Sequence, residues 1–72
     1  MMMTMRLTVN GAPQEVACGI NLMQLLDTLK IVGERVAVEV NLQIIGREQY
    51  QEVSLKEGDR VEIISFVGGG RA

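Results

Sequence analysis

The residues best suited to chemistry in this sequence are three successive glycines, Gly68, Gly69 and Gly70, which follow Phe66 and Val67. Glycine has no Cβ and weakens any strand or helix in which it lies, so a triglycine run is poor material for either. It suits a flexible tether that can enter a narrow enzyme channel. A main-chain carboxyl group at its end would be open to reaction, because no side chain crowds the reacting carbon.

Arg71 and Ala72 follow Gly70, so Gly70 is joined in a peptide bond and has no free carboxylate in the sequence as written. Three interpretations stay open. A protease removes the dipeptide, or the chain is a docking module whose tail is inert, or Ala72 itself is activated. The third is the least favoured, because the tail would be longer and Arg71 would be bulky in a narrow channel.

Few other side chains offer catalysis or metal binding. Histidine is absent, which removes the commonest general base and metal ligand. Cys18 is the only cysteine, so the chain can form neither an internal disulfide nor a metal site with two cysteine ligands. We interpret Cys18 as a small buried hydrophobic residue on a strand. The sequence therefore predicts no catalytic residues and no metal site.

The composition is typical of one small domain. Of the 72 residues, 47% are hydrophobic, with one Tyr, one Phe and no Trp, so the core must be aliphatic. The net charge is −2 and no basic stripe is present, which argues against nucleic-acid binding. No run reaches transmembrane length, and the Met-rich start is too short for a signal peptide, so we expect a cytoplasmic protein without membrane association. Residues 1–67 are predicted to form the domain and residues 68–72 the tail.

The first predicted element is a β-hairpin. Apolar and polar residues alternate over residues 5–9, and Asn10-Gly11 follows, the strongest signal for a two-residue turn. The second strand is predicted over residues 14–18, with Cys18 on the face toward the core.

A helix is predicted to begin at Asn21, whose side chain can cap the first turn while Gln24 reaches back in a capping box. Gly33 is expected to end it. The helix has an apolar stripe at i, i+3, i+4 and i+7 spacing, formed by Leu22, Leu25, Leu26 and Leu29.

Three more strands are predicted, over residues 36–41, 52–55 and 60–67, with a helical turn at residues 47–50. The last strand is apolar on both faces, which is typical of a central strand. Its Val61 and Ile63 are predicted to point inward.

Ile64 and Phe66 are predicted to point outward from the last strand. A central last strand beside the first, with a helix across one face, is the β-grasp plan. We therefore predict an α+β fold, with a mixed sheet of four to five strands and one helix packed across one face.

Three segments carry a resemblance to the ThiS-type sulfur carriers of thiamine biosynthesis, within the ubiquitin-like β-grasp family. Residues 37–50 are similar to that family's strand ending in Asn, its apolar pair and its Arg-Glu-aromatic segment. Residues 57–63 resemble its Gly-Asp turn into the last strand, and residues 66–70 resemble its ending. The resemblance extends from Met5 to Gly70, and the short length favours this type over the longer small subunit of molybdopterin synthase.

The resemblance implies a protein substrate without an active site of its own. An E1-like activating enzyme would adenylate the Gly70 carboxylate with ATP and magnesium, with Gly68 and Gly69 as the tether. The adenylate would become a thiocarboxylate, with sulfur drawn ultimately from cysteine. That sulfur would pass to thiazole synthase. A processing protease would first remove Arg71 and Ala72, as happens to ubiquitin-like precursors in general.

Ile64, Phe66 and Val67 are predicted to dock the activating enzyme, because apolar residues on one face lead directly into the tail. Two alternatives stay open. One is a non-conjugating β-grasp interaction module, and the other is a sulfur carrier for molybdopterin or cysteine synthesis.

Overall fold

The computed structural model describes residues 3–66, which form one five-stranded mixed sheet and one α-helix. Across the sheet the strands run in the order β2-β1-β5-β3-β4. The elements are β1 (Thr4–Val9), β2 (Ala12–Ala17), α1 (Leu22–Thr28), β3 (Val36–Val40), β4 (Gln43–Ile45) and β5 (Arg60–Ser65), with 3₁₀ turns at Gly33–Arg35 and Arg47–Gln49.

The β1–β2 hairpin turns at Asn10 and Gly11, as predicted. Their φ angles are 52° and 83°, and a type I′ turn requires positive φ at both central positions. Pairing begins immediately after the turn, with Val9 opposite Ala12. Strand β2 therefore starts earlier than predicted, and Pro13 is tolerated within it because β2 is an edge strand.

Helix α1 begins as predicted. The Asn21 side chain accepts a hydrogen bond from the Gln24 N–H (2.8 Å), and the Gln24 side chain accepts one from the Asn21 N–H (2.9 Å). This reciprocal pair satisfies two N–H groups at the start of the helix.

The prediction that Gly33 ends this helix was wrong. The helix ends at Thr28, and Lys30 takes a left-handed conformation with φ of 60°. The Lys30 N–H donates to the Asp27 carbonyl, and the Ile31 N–H donates to the Leu26 carbonyl, which is a Schellman ending. Glycine usually occupies this left-handed position. Because a lysine stands there, the sequence does not signal that the helix ends at this point.

The prediction of a strand over residues 52–55 was also wrong. Ser54 makes one isolated bridge with Asn21. Carbonyl groups of this segment instead accept hydrogen bonds from the start of the helix: Leu22 N–H donates to Val53, and Met23 N–H donates to Tyr50. The segment caps the helix, whose first N–H groups have no partner within the helix itself.

The observed fourth strand is β4, which pairs antiparallel with the second half of β3. The turn between them contains Asn41 and Leu42, both with positive φ. A two-residue turn of this kind favours glycine at its second position, so the leucine hid the hairpin in the sequence.

Strand β5 lies in the centre of the sheet, as predicted. It runs parallel to β1 and antiparallel to β3. The three buried leucines of α1 pack on one face of the sheet, which we call the inner face. The core consists of Met5, Leu7, Val9, Val16, Leu22, Leu25, Leu26, Val38, Val40, Tyr50, Leu55 and Val61.

Candidate functional site

Strand β5 leads directly to the glycines. It ends at Ser65, and the Phe66 N–H still donates to the Arg35 carbonyl at 2.9 Å. The chain is therefore tied to its neighbour up to residue 66. The remaining predicted site residues, Val67, Gly68, Gly69 and Gly70, lie outside the described residues, and their roles stay predictions.

Two turn asparagines hold β5 in place. The Asn10 side chain accepts a hydrogen bond from the Ile63 N–H (2.7 Å) and donates one to the Ile63 carbonyl (3.2 Å). The Asn41 side chain accepts one from the Arg60 N–H (3.0 Å). The pairing of β1 with β5 stops at Val61. Beyond Val61, the Asn10 side chain therefore makes the hydrogen bonds to β5 that the β1 backbone no longer makes.

The side chains of β5 point as predicted. Val61 is fully buried, and Ile63 packs against the core on the inner face. Ile64 and Phe66 are 55% and 61% exposed. Two large apolar side chains thus stand in solvent immediately before the glycines, which is the arrangement that a docking surface needs.

Ile64 belongs to a larger exposed surface on the face of the sheet away from the helix. Strand register places Ala37 opposite Ile64, Glu39 opposite Glu62, and Ile44 beside Glu39. We call these five residues the outer-face patch. Ile44 is 77% exposed. Glu39 and Ile44 were not predicted as surface residues of interest. The alternation of β3 placed Glu39 on the outer face, but the position of Ile44 depends on β4, which was not predicted.

A groove of about 780 Å³ opens beside Phe66 at the edge of the sheet. Val32, Val36, Ile45 and Tyr50 contribute to its wall, and Ile44 joins it to the outer-face patch. It is continuous with the exposed apolar residues near the tail, so a partner seated on the patch can extend into it.

The Arg-Glu-aromatic segment has mainly a structural role. Tyr50 is only 2% exposed and lies against Gly33, where an added Cβ would stand 3.1 Å from the ring. Burial raises the pKa of the Tyr50 hydroxyl above its usual value; Arg47 lowers this pKa and Glu48 raises it, each by a smaller amount. Arg47 and Glu48 themselves are exposed.

The interpretation of Cys18 as a buried strand residue was wrong. Strand β2 ends at Ala17, and Cys18 is exposed in the turn that follows. The Cys18 N–H still donates to the Met3 carbonyl (3.0 Å), and the chain turns at Gly19, whose φ is 86°. Cys18 therefore lies at the end of the sheet, beyond the core residues Met5 and Val16.

Among residues 3–66, Cys18 and the carboxylates do not gather into a cluster that could hold a metal ion. In the same range, no helix is long and apolar enough to span a membrane.

Comparison with known proteins gives the family. The model of the ThiS family matches residues 7–70, a range that begins within β1 and includes the other strands, the helix and all three glycines. The chain belongs to the ThiS family. It is 45% identical over 49 residues to the sulfur carrier protein ThiS of Bacillus subtilis, a match that covers 68% of this chain and 74% of that one.

A solved ThiS structure shares the fold. The crystal structure of the thiamine biosynthesis protein ThiS from Geobacter metallireducens has a TM-score of 0.80 and 43% sequence identity. The match covers 92% of this chain and 100% of the other. The predicted β-grasp fold, with a mixed sheet and one helix, is thereby confirmed.

The chain is also similar to part of two longer proteins. It is 36% identical over 66 residues to a thiazole synthase of Paramagnetospirillum magneticum and 39% identical over 67 residues to one of Magnetococcus marinus. These matches cover 92% and 93% of this chain but 20% and 21% of the relatives. The chain therefore spans about a fifth of the length of these curated relatives.

Proposed function

We propose that this ThiS-family chain is a sulfur carrier in thiamine biosynthesis and that its sulfur is bound at Gly70. The observation that carries the proposal is the family match, which extends through Gly70. The structure adds support, because β5 ends next to exposed apolar residues and the triglycine run follows within a few residues. In this role the chain is a protein substrate, and partner enzymes supply the catalysis.

The chemistry proceeds at the Gly70 carboxylate once the bond to Arg71 has been hydrolysed. A carboxylate oxygen attacks the α-phosphorus of ATP on a magnesium-dependent, E1-like activating enzyme, and pyrophosphate leaves. Sulfur at the oxidation level of sulfide, drawn ultimately from cysteine, then attacks the acyl carbon. A carbon–sulfur bond forms, AMP leaves, and a thiocarboxylate results. The absence of side chains on Gly68, Gly69 and Gly70 keeps both approaches unhindered.

The acceptor of the sulfur is proposed to be thiazole synthase. Two proteins of that name contain a segment similar to this chain over more than nine-tenths of its length. That similarity favours thiazole formation over the molybdopterin and cysteine pathways, which use the same tail chemistry.

Intact-protein mass spectrometry of the untagged chain, purified from its own host under thiamine starvation, tests the proposal. We expect a species that ends at Gly70 and in which one carboxylate oxygen is replaced by sulfur. If Gly70 remains joined to Arg71 in every species, the carrier proposal is wrong and the chain is a docking module. Incubation of the thiocarboxylate form with thiazole synthase and that enzyme's other substrates should return it to the carboxylate, as the sulfur passes into the product and an oxygen atom replaces it on the acyl carbon.

A further inference from the structure

The groove at the edge of the sheet begins where β5 ends. The Phe66 N–H donates to the Arg35 carbonyl, and the neighbouring chain runs back from there through Glu34 and Gly33 to Val32. These last three residues line the groove of about 780 Å³, as Phe66 itself does. Because β5 is antiparallel to β3, a chain that keeps this course past Phe66 passes along the groove.

The groove suits a side chain that is apolar along its stem and positive at its end. Val32 and Val36 belong to its apolar wall, and the exposed Glu34 and Glu48 place two carboxylates on its rim. Arg47 also lines the groove, but within residues 3–66 it forms no ion pair with either carboxylate. An arginine from elsewhere can pack its methylene stem on the wall while its guanidinium donates to the carboxylates.

The sequence supplies such an arginine within reach. Arg71 is five residues beyond Phe66, and five extended residues span at most about 18 Å. Since Phe66 lines the groove itself, the chain can place a guanidinium at the rim without full extension. Gly68, Gly69 and Gly70 lie between them, and glycines allow a reversal of direction without a side-chain clash.

We propose that in the uncut chain the Arg71 side chain lies in this groove, with its stem on Val32 and its guanidinium paired with Glu34 and Glu48. The inference concerns the regulation of the proposed sulfur site and rests on the proposed function for its purpose. While Arg71 is bound, Gly70 is withheld from the channel of the activating enzyme. Hydrolysis adds water across the Gly70–Arg71 bond and leaves a carboxylate on one side and an amino group on the other. The cleavage that creates the carboxylate therefore also releases the tether.

The contact is an equilibrium between a bound and a free tail. Ordering glycines costs backbone entropy, and ion pairs of exposed carboxylates such as Glu34 and Glu48 are weak. Effects of a few-fold are therefore expected, and salt should weaken the contact. An uncut chain held in this way competes less with the cut chain for the activating enzyme.

Trypsin tests the contact on the full chain alone, because this protease must take the arginine side chain into its own pocket before it cleaves. Intact-protein mass spectrometry follows cleavage between Arg71 and Ala72. We expect the E34Q/E48Q variant to be cut about two- to fivefold faster than the wild type at low salt. The two rates should converge as the salt concentration rises.

The matched controls separate local contact from net charge and from folding. E34Q and E52Q each remove one negative charge, but Glu52 is exposed in a turn and does not line the groove. We expect E34Q to be cut faster than the wild type and E52Q to be cut at the wild-type rate. Cleavage after Arg60, at the start of the central strand, requires opening of the fold and should be equal in all variants.

A second measurement locates the tail. A nitroxide spin label is attached at position 72 through Ala72→Cys, in a chain that also carries Cys18→Ser, and it broadens the NMR signals of nearby amides. We expect stronger broadening at Gly33 when Arg71 is present than in the Arg71→Gln variant, which keeps the length of the tail and removes its cation. Equal broadening in the two chains, or equal trypsin rates for E34Q/E48Q, E52Q and the wild type, would overturn the inference.

Neither measurement needs the activating enzyme, so failures of the two proposals are distinguishable. If the trypsin rates differ as expected but no thiocarboxylate forms in the host, the carrier function fails and the groove contact stands. If the thiocarboxylate forms and the trypsin rates are equal, only the groove contact fails.

Discussion

Tyr50 is the one aromatic side chain in a core that is otherwise aliphatic. Its ring lies against Gly33, as does the Leu26 side chain, and its carbonyl accepts a hydrogen bond from the Met23 N–H at the start of α1. A family motif that contains charged residues thus serves mainly to fix the loop that follows β4. Its side chains at Arg47 and Glu48 remain exposed on the rim of the groove.

The burial of Tyr50 predicts a measurable pH dependence. Its pKa is raised above the ordinary value of 10.0, so the unfolded chain releases this proton at lower pH than the folded protein does. Its contribution to the free energy of unfolding is therefore complete below pH 10 and is lost as the pH rises from there through the folded-state pKa.

Tyr50 is the only tyrosine, so ultraviolet absorbance reports its ionisation alone. We expect a midpoint above 10 in the folded protein and near 10 in concentrated urea. Between pH 9 and pH 11, a range on either side of 10, the Tyr50→Phe variant should lose less stability than the wild type. The same midpoint in both solvents would contradict the burial.

At the scale of elements, two asparagines in turns replace backbone pairing along β5. Asn10 and Asn41 both have φ near 52°, a conformation that asparagine tolerates better than most residues. The turns are therefore compatible with these side chains, and both reach the last strand. The strand that leads to the tail is held from both sides.

Substitution of Asn10 by glycine tests this role. Glycine keeps the positive φ of the turn but removes both hydrogen bonds to Ile63. We expect the free energy of unfolding to fall by about 1–2 kcal/mol in a urea titration, since two hydrogen bonds are lost. The Asn10→Asp variant retains an acceptor for the Ile63 N–H and should lose less. Unchanged stability in the glycine variant would show that the two hydrogen bonds from Asn10 to Ile63 contribute nothing to the free energy of unfolding.

Element types were easier to predict than element boundaries. The capping box at Asn21 and the turn at Asn10 depend on neighbouring residues only, and both were found in the sequence. The end of α1 and the β3–β4 turn place Lys30 and Leu42 where glycine is usual. There the tertiary structure overrides the local preference, and a prediction from local signals fails.

At the scale of the whole molecule, the two faces of the sheet differ in what they contact. The inner face and α1 hold the core, while the outer face leaves Ile64 and Ile44 in solvent next to an acidic pair. Phe66 adds a third apolar side chain beside the groove. A small domain can expose such residues without loss of stability because Val61 and its neighbours already fill the core.

Phe66→Asp should therefore preserve the fold and weaken binding to the activating enzyme. The side chain is mostly exposed, so we expect an unchanged circular dichroism spectrum and a Kd at least about tenfold higher, as for an anchor residue of an interface. Val61→Asp is the control that should unfold the domain, because its side chain is fully buried. Loss of the native spectrum in Phe66→Asp would place Phe66 in the core.

The sequence by itself determined the parts that depend on local chemistry and periodicity. These are the first hairpin, the start of the helix, the central position of the last strand and the inward or outward direction of its side chains. The family resemblance likewise rested on short segments, and the comparisons confirmed it. The triglycine run lies outside the described residues, so its role remains a proposal.

Only the tertiary structure decided what depends on register and on contacts between distant segments. It paired Glu39 with Glu62, brought Ile44 beside them through a hairpin without glycine, and used residues 50–54 to cap the helix instead of extending the sheet. It also placed Cys18 in solvent. The physical reason is that each depends on which strand or helix end lies nearby. For the Glu39–Glu62 pair and the helix cap, residues far apart in sequence decide this, and for Ile44 it is a turn whose residues carry no glycine signal.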